Sequence, residues 1–79
     1  MPTVFRQGPY RFFFYSNEGA EPVHIHVGAA GKEAKFWLDP LRLAFSDGFR
    51  AHELGEIRGI IESNTVIFLE KWNEHFKGR

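Results

Sequence analysis

The sequence contains no cysteine, so neither a disulfide bond nor a thiolate metal site can stabilise the fold. A chain of 79 residues buries only a small core. Its stability must therefore come from dense packing, a bound ion or a partner chain. Nine phenylalanines, two tryptophans and two tyrosines supply large side chains for such packing. We expect one domain over residues 1–79.

A net charge and a long apolar run are absent as well. Ten Lys and Arg residues balance ten Asp and Glu residues. A domain that binds duplex DNA alone usually carries a basic surplus, so strong autonomous DNA binding is not expected, although contact with nucleic acid stays open. No apolar run approaches the ~18 residues of a membrane span, and residues 1–11 lack the apolar core of a signal peptide. We expect a cytoplasmic protein that does not span a membrane.

Alternating segments predict the centre of the fold. Apolar side chains occupy every second position in residues 23–27 and again in residues 33–38. Together with the Gly-containing segment between them, this pattern indicates a β-hairpin. Residues 10–15 predict a further strand, and the segments near residues 4–5 and 41–45 are candidates for short strands.

The remainder of the sequence predicts two helices. Apolar residues at helical spacing follow residue 50, and Thr65 is expected to cap the second helix. Gly55 and Gly59 lie four positions apart in the first helix, where they would let another element approach closely. The expected fold is α+β: an antiparallel sheet of three or four strands, built from β-hairpins, followed by two C-terminal helices packed on one face.

The hairpin register follows from the apolar pattern. The face of Val23, Ile25 and Val27 must coincide with that of Ala34, Phe36 and Leu38, because a slip of one residue would place three apolar side chains in water. The opposite face then carries both histidines of the hairpin. His26 is predicted opposite Glu33 or Lys35, and His24 opposite Lys35 or Trp37.

Three interpretations of His24 and His26 are open. The first is a polar, partly solvated sheet face without chemistry. The second is a metal site, for which two histidines supply part of the ligands and Glu18, Glu21 or Glu33 is needed as a third; the nearby ammonium group of Lys35 argues against it.

The third interpretation is catalytic. His24 and His26 would act as base and acid, and Lys35 would stabilise the charge of a phosphate-like transition state on RNA. The same three residues could also bind phosphate alone.

Four segments that together cover almost the whole chain carry a family resemblance: "FFFYSNEGAEPVHIHV", "GKEAKFWLDPLRLA", "GFRAHELGEIRGIIESN" and "LEKWNEHF". On these segments the chain resembles the small bacterial proteins grouped as domain of unknown function 4160 (DUF4160). The most specific pieces of this resemblance are "SNE", the run of Pro22, His24 and His26, "AKFWL" and "WNEHF". The sequence departs from the family at Arg50, where a Ser or Thr often opens the first helix, and at "NTVIFLE", where the family tends to be charged.

Such proteins are usually encoded beside a second small protein that resembles a DNA-binding regulator, and the pairs are suspected to be toxin–antitoxin-like modules. The resemblance therefore implies a partner-binding component of such a module. No activity follows from it; an RNA- or phosphate-directed activity on the face of His24 and His26 is an expectation from the residue types alone. The alternative is a non-enzymatic metal- or ligand-binding module. Ile67, with Val66 at its edge, is surplus to the core-facing side of the second helix. We expect these two residues in a surface for a partner or for self-association.

Overall fold

A computed structural model describes residues 3–15 and 19–76. Five strands are followed by two helices: β1 Thr3–Gln7, β2 Tyr10–Phe13, β3 His24–Ala29, β4 Lys32–Leu38, β5 Leu41–Asp47, α1 Ala51–Ser63 and α2 Thr65–Phe76. The loop expected at Ser16, Asn17 and Glu18 lies outside the described residues.

The strands form one antiparallel sheet in the order β1-β2-β3-β4-β5, so each strand pairs with its neighbour in the chain. The predicted α+β architecture is confirmed, but the predicted strand number of three or four is too low. Both segments that were only candidates, β1 and β5, form strands. Each is joined to its neighbour by a two-residue turn, which keeps even a short segment within reach of the adjacent strand.

The turn between β3 and β4 fixes the register of the central hairpin. It consists of Ala30 and Gly31, which both have positive φ angles, 51° and 78°. Two such residues match the twist of the flanking strands in a tight hairpin. This turn joins two strands, so the "GAAGK" sequence is not a phosphate loop leading into a helix.

Both helices contribute to one core on a single face of the sheet. Ile57 and Ile61 of α1 and Phe68 and Trp72 of α2 are buried in the same cluster as the apolar strand residues. The strand residues of this cluster, together with Phe14 just after β2, are Tyr10, Phe12, Phe14, Ile25, Val27, Ala34, Phe36 and Leu38. Their burial confirms the predicted apolar face of the hairpin.

Glu53 anchors the start of α1 in place of a capping side chain at Arg50. The Arg50 backbone N–H donates to Oε1 of Glu53 at 2.8 Å, and Nζ of Lys32 donates to Oε2 at 2.7 Å. The hydrogen bond from the Arg50 backbone, followed by that from Lys32, lowers the pKa of Glu53. The helix therefore keeps one half of the capping-box arrangement without a Ser or Thr.

Tyr10 ties the middle of α1 to the sheet. Its hydroxyl donates to Oε1 of Glu56 at 2.8 Å. Burial, followed by the hydrogen bond and the negative charge of Glu56, raises the pKa of Tyr10 to about 12. The neutral phenol is thus the form that this contact between α1 and β2 requires.

Two expectations about the helices are wrong. The Thr65 hydroxyl does not cap α2; it donates back to the Ile61 carbonyl at 2.9 Å, while the Asn64 carbonyl accepts the first α2 hydrogen bond from Phe68. No heavy atom of a neighbouring element lies within 4 Å of a Cβ built on Gly55 or Gly59, so neither glycine serves a close approach. Neither helix formed by the described residues has the length and apolar character needed to span a bilayer.

Candidate functional site

The side of the sheet opposite the helices carries both histidines of the hairpin. We call it the histidine face; its members are Phe13, His24, His26, Glu33, Lys35, Trp37 and Phe45. His24 pairs with Trp37 and His26 pairs with Lys35. The predicted register is therefore confirmed, and it selects one of the two alternatives for each histidine.

Both histidines are buried, although they lie on the side of the sheet opposite the apolar core. His24 is 0% exposed and His26 is 3% exposed. The interpretation of a solvated sheet face is therefore wrong for these two residues. Alternation along a strand assigns a side chain to a face, but it does not say what covers that face.

Aromatic side chains cover His26. Its ring stacks on Phe13, with ring centroids 5.5 Å apart and planes 19° apart. The ring of Tyr15 packs edge-on at 4.5 Å. Phe45, from the edge strand, approaches to 6.4 Å. The cover therefore comes from two segments of the chain, residues 13–15 and β5.

His24 is covered from the sheet and from α2. Trp37 lies 5.5 Å away on the paired strand, and Trp72 of α2 lies 4.9 Å away, between ring centroids. Trp72 also packs edge-on against Phe14 in the core. Since β2 ends at Phe13, Trp72 can contact both Phe14 in the core and His24 on the other side of the sheet.

One hydrogen bond assigns the tautomer of His24. Its Nδ1 lies 2.8 Å from the Pro22 carbonyl oxygen. A carbonyl oxygen only accepts, so Nδ1 must carry the proton and donate it. In the neutral ring, Nε2 is then the nitrogen with the lone pair. A backbone carbonyl at Nδ1 is a common way to orient a histidine for chemistry at its other nitrogen.

Glu33 connects His26 to Tyr15. Nδ1 of His26 lies 3.3 Å from Oε2 of Glu33, and the Tyr15 hydroxyl lies 3.0 Å from each carboxylate oxygen. Glu33 stands opposite Gly28 in the strand pairing. Because Gly28 has no side chain, the carboxylate can reach diagonally towards His26.

Lys35 lies beside the histidines but is engaged elsewhere. Its Nζ donates to Oε1 of Glu21 at 2.6 Å and lies 4.4 Å from the centroid of the Trp37 ring. The catalytic set predicted from the sequence, His24, His26 and Lys35, is therefore brought together on one face. The ammonium group of Lys35, however, forms an ion pair with Glu21 and a cation–π contact with Trp37.

The two imidazole rings lie close enough to act on one group. Their centroids are 5.2 Å apart and their planes are 84° apart. Within residues 3–15 and 19–76, no group of three or more His, Asp or Glu side chains is placed to hold a metal ion. Of the third ligands considered, Glu21 pairs with Lys35, and Glu33 lies against Nδ1 of His26 and accepts from the Tyr15 hydroxyl. Glu18 lies outside the described residues. The geometry therefore gives His24 and His26 no third metal ligand in the described chain.

A groove of about 470 Å³ adjoins the histidine face. Arg6 and Arg11, which pair across β1 and β2, line it with Tyr15 and Glu33. The Arg11 guanidinium lies 4.3 Å from the Phe13 ring centroid and donates to Thr3. Lys32 also lines the groove but is paired with Glu53. The groove thus combines the two arginines with the Tyr15–Glu33 pair that contacts His26.

Several of these contributors were missed when candidate site residues were chosen from the sequence. The alternation of residues 10–15 already placed Arg11, Phe13 and Tyr15 on one side of a strand, so that signal was available. The contact from Trp72 had no local signal, since α2 lies far from His24 in the chain.

The fold and site define a class of small α+β protein. A five-stranded antiparallel sheet carries two helices on one face and an aromatic-covered histidine pair on the other. The family described as a domain of unknown function (DUF4160) matches residues 10–73, and the chain belongs to that family. No curated protein and no solved structure shows significant similarity to the chain.

Proposed function

We propose that the protein is the partner-binding component of a two-protein, toxin–antitoxin-like module in the cytoplasm. The observation that carries this proposal is the two-sided character of α2. Phe68 and Trp72 are buried in the core, whereas Val66 and Ile67 on the same helix are 68% and 39% exposed. Neither side chain belongs to the buried core cluster. Two adjacent large apolar side chains outside the core suit the centre of an interface, which a partner would shield from water.

The surroundings of Val66 and Ile67 favour a basic partner. Glu70 lies one helical turn beyond both residues and is exposed. Lys71 lies one turn beyond Ile67, but its Nζ is 3.9 Å from Oε1 of Glu74. A small DNA-binding regulator carries a basic surface, and it would supply both apolar contacts and a charge for Glu70.

The test uses the small regulator-like protein that this proposal expects to be encoded beside the chain, co-expressed and purified with it. Ile67→Glu should stay folded and weaken the complex by at least tenfold in sedimentation or calorimetry, because a charge would be buried at the contact. Ala51→Glu is the matched control, since it places the same carboxylate at an exposed position of α1. Equal affinity of both variants and the wild type would contradict the proposal.

A second candidate function is phosphate-directed binding on the histidine face. The groove with Arg6, Arg11, Tyr15 and Glu33 favours it, because paired cations beside an aromatic side chain suit a single-stranded nucleic acid. Of the two histidines, His26 lies behind Phe13 and Tyr15, which line this groove, whereas His24 lies against Trp37 and Trp72. Catalysis by them would therefore require the covering aromatic side chains to move.

The test of this candidate is binding of a short single-stranded RNA, measured by fluorescence anisotropy at several salt concentrations. Arg6→Ala with Arg11→Ala should reduce both the affinity and the dependence on salt. The Ile67→Glu variant, altered on α2, should bind RNA as the wild type does. RNA binding that is unchanged by the loss of both arginines would exclude this groove.

A further inference from the structure

The outer edge of β5 lacks a pairing strand among the described residues, since β5 is the last strand of the sheet order. Every residue from 42 to 47 is exposed. Two of them are large and apolar, Leu43 at 40% and Phe45 at 44% exposure. A free strand edge with apolar side chains is a template for pairing with a strand of another molecule.

An irregularity in β5 determines which strand fits this edge. Lys35 pairs with Phe45 and Phe36 pairs with Leu43, so Ala44 is an extra residue. In a regular strand, residues five positions apart point to opposite faces. Because of the extra residue, Arg42 and Asp47 stand opposite Trp37 and Glu33, which share one face of β4. Arg42 and Asp47 therefore lie on the same face.

The arrangement of β5 suits an antiparallel pair of two identical strands. The two strands of such a pair are related by a two-fold axis perpendicular to the sheet. Residues that face each other must lie on the same face of the sheet, and their backbone N–H and C=O groups must point to the same edge of their strands. Arg42 opposite Asp47 of a second copy meets both conditions. The same register places Leu43 opposite Ser46 and centres the two-fold axis on Ala44 and Phe45. The contact between Arg42 and Asp47 then forms twice.

Charge also favours a second copy as the occupant. Asp47 stands opposite Glu33 within the chain, and like charges directly opposite in a sheet are destabilising. Neither Arg42 nor Asp47 forms an ion pair with another residue in the described part of the chain. An arginine from a second copy would place a cation beside two carboxylates.

An irregular edge disfavours pairing with an arbitrary strand, but a second copy carries the same irregularity at the matching position. We infer that the protein forms a two-fold dimer through β5, in which the two sheets become one ten-stranded antiparallel sheet. A contact limited to the six residues 42–47 of each strand should bury less than the roughly 800 Å² per partner of a standard interface. The dimer is therefore expected to be weak and to form at high protein concentration. This surface is separate from Val66 and Ile67 on α2.

The test is a charge swap followed by sedimentation at increasing protein concentration. Arg42→Asp alone and Asp47→Arg alone each create repulsion at both ends of the strand pair and should give monomers. An equimolar mixture of these two variants should dimerise again, because each aspartate then faces an arginine. The doubly substituted protein should also dimerise. Glu70→Lys, an exposed charge reversal on α2, is the control and should leave dimerisation unchanged.

Circular dichroism of each variant checks that the fold is retained, and the doubly substituted protein gives a second measurement if one single variant is poorly folded. A wild-type protein that stays monomeric at the highest concentration would overturn the inference. Single variants that dimerise like the wild type would overturn it too. If neither the mixture nor the double variant dimerises, this register is excluded.

Discussion

The Oε2 atom of Glu33 lies 3.3 Å from Nδ1 of His26, and the same carboxylate lies 3.0 Å from the hydroxyl of Tyr15. One half-buried carboxylate thus holds two aromatic side chains of the histidine face. Tyr15 in turn covers the His26 ring. The position of Glu33 therefore determines how completely Tyr15 covers His26 on this face.

The contact between Tyr15 and Glu33 should be measurable by a double-mutant cycle. We expect Tyr15→Phe and Glu33→Ala to be coupled by about 1–2 kcal/mol in the free energy of unfolding. Either substitution alone already removes the hydrogen bond to the charged carboxylate, so the double variant does not lose it a second time. The pair of Lys35 and Glu21 is the comparison, because Glu21 is exposed; its coupling should be about 0.5 kcal/mol. Equal coupling in both cycles would contradict a special role for Glu33.

His24→Ala and His26→Ala should each destabilise the fold. Both rings are buried and packed by aromatic side chains, so truncation leaves a cavity that costs about 1–3 kcal/mol. Urea denaturation followed by tryptophan fluorescence measures this loss. His52→Ala, at an exposed position of α1, should change stability by less than about 0.5 kcal/mol. Loss of activity in a variant without loss of stability would favour a catalytic role instead.

Gly55→Ala and Gly59→Ala should each stabilise the protein by about 0.5–1 kcal/mol. Alanine restricts the unfolded chain and favours the helix, and the added methyl group meets no neighbouring element at either position. Gly31→Ala is the contrasting variant: space is also free there, but φ is 78°, so a loss of about 1 kcal/mol is expected. Thermal unfolding separates the two outcomes. Destabilisation by either helix substitution would show that close approach matters after all.

The ionisation of Tyr10 should be delayed to strongly alkaline pH. In the Tyr15→Phe variant, Tyr10 is the only remaining tyrosine, and its tyrosinate absorbance should rise with a midpoint at a pKa of about 12. Because the folded-state pKa lies above the ordinary value near 10, this contribution to stability is present below pH ~10 and is lost as the pH rises towards ~12.

Burial is the largest cause of the raised pKa of Tyr10, so Glu56→Gln should move the midpoint only part of the way back. Far-UV circular dichroism, recorded on the same samples, separates ionisation in the folded protein from alkaline unfolding. A midpoint near 10 in a protein that is still folded would show that the phenol is solvated.

The central hairpin could be predicted because both of its faces are specified. The side chains of Ile25 and Phe36 must be buried in the core, and that requirement alone fixes which residues share a face with His24 and His26. The burial of the histidines could not be predicted, since it depends on Trp72, which comes from a helix distant in sequence. The extra residue at Ala44 had no local signal either, because an apolar pattern of seven residues does not show where the pairing shifts.

The order of the sheet also has a consequence for how the chain folds. Every strand pairs with the strand that precedes or follows it, so each pairing closes only a short loop and needs little loss of chain entropy. The whole sheet precedes α1 and α2 in the chain. During synthesis, the sheet can therefore assemble before the helices that cover it. For that interval, the side chains of Phe12, Ile25 and Phe36 are open to chaperones and to aggregation.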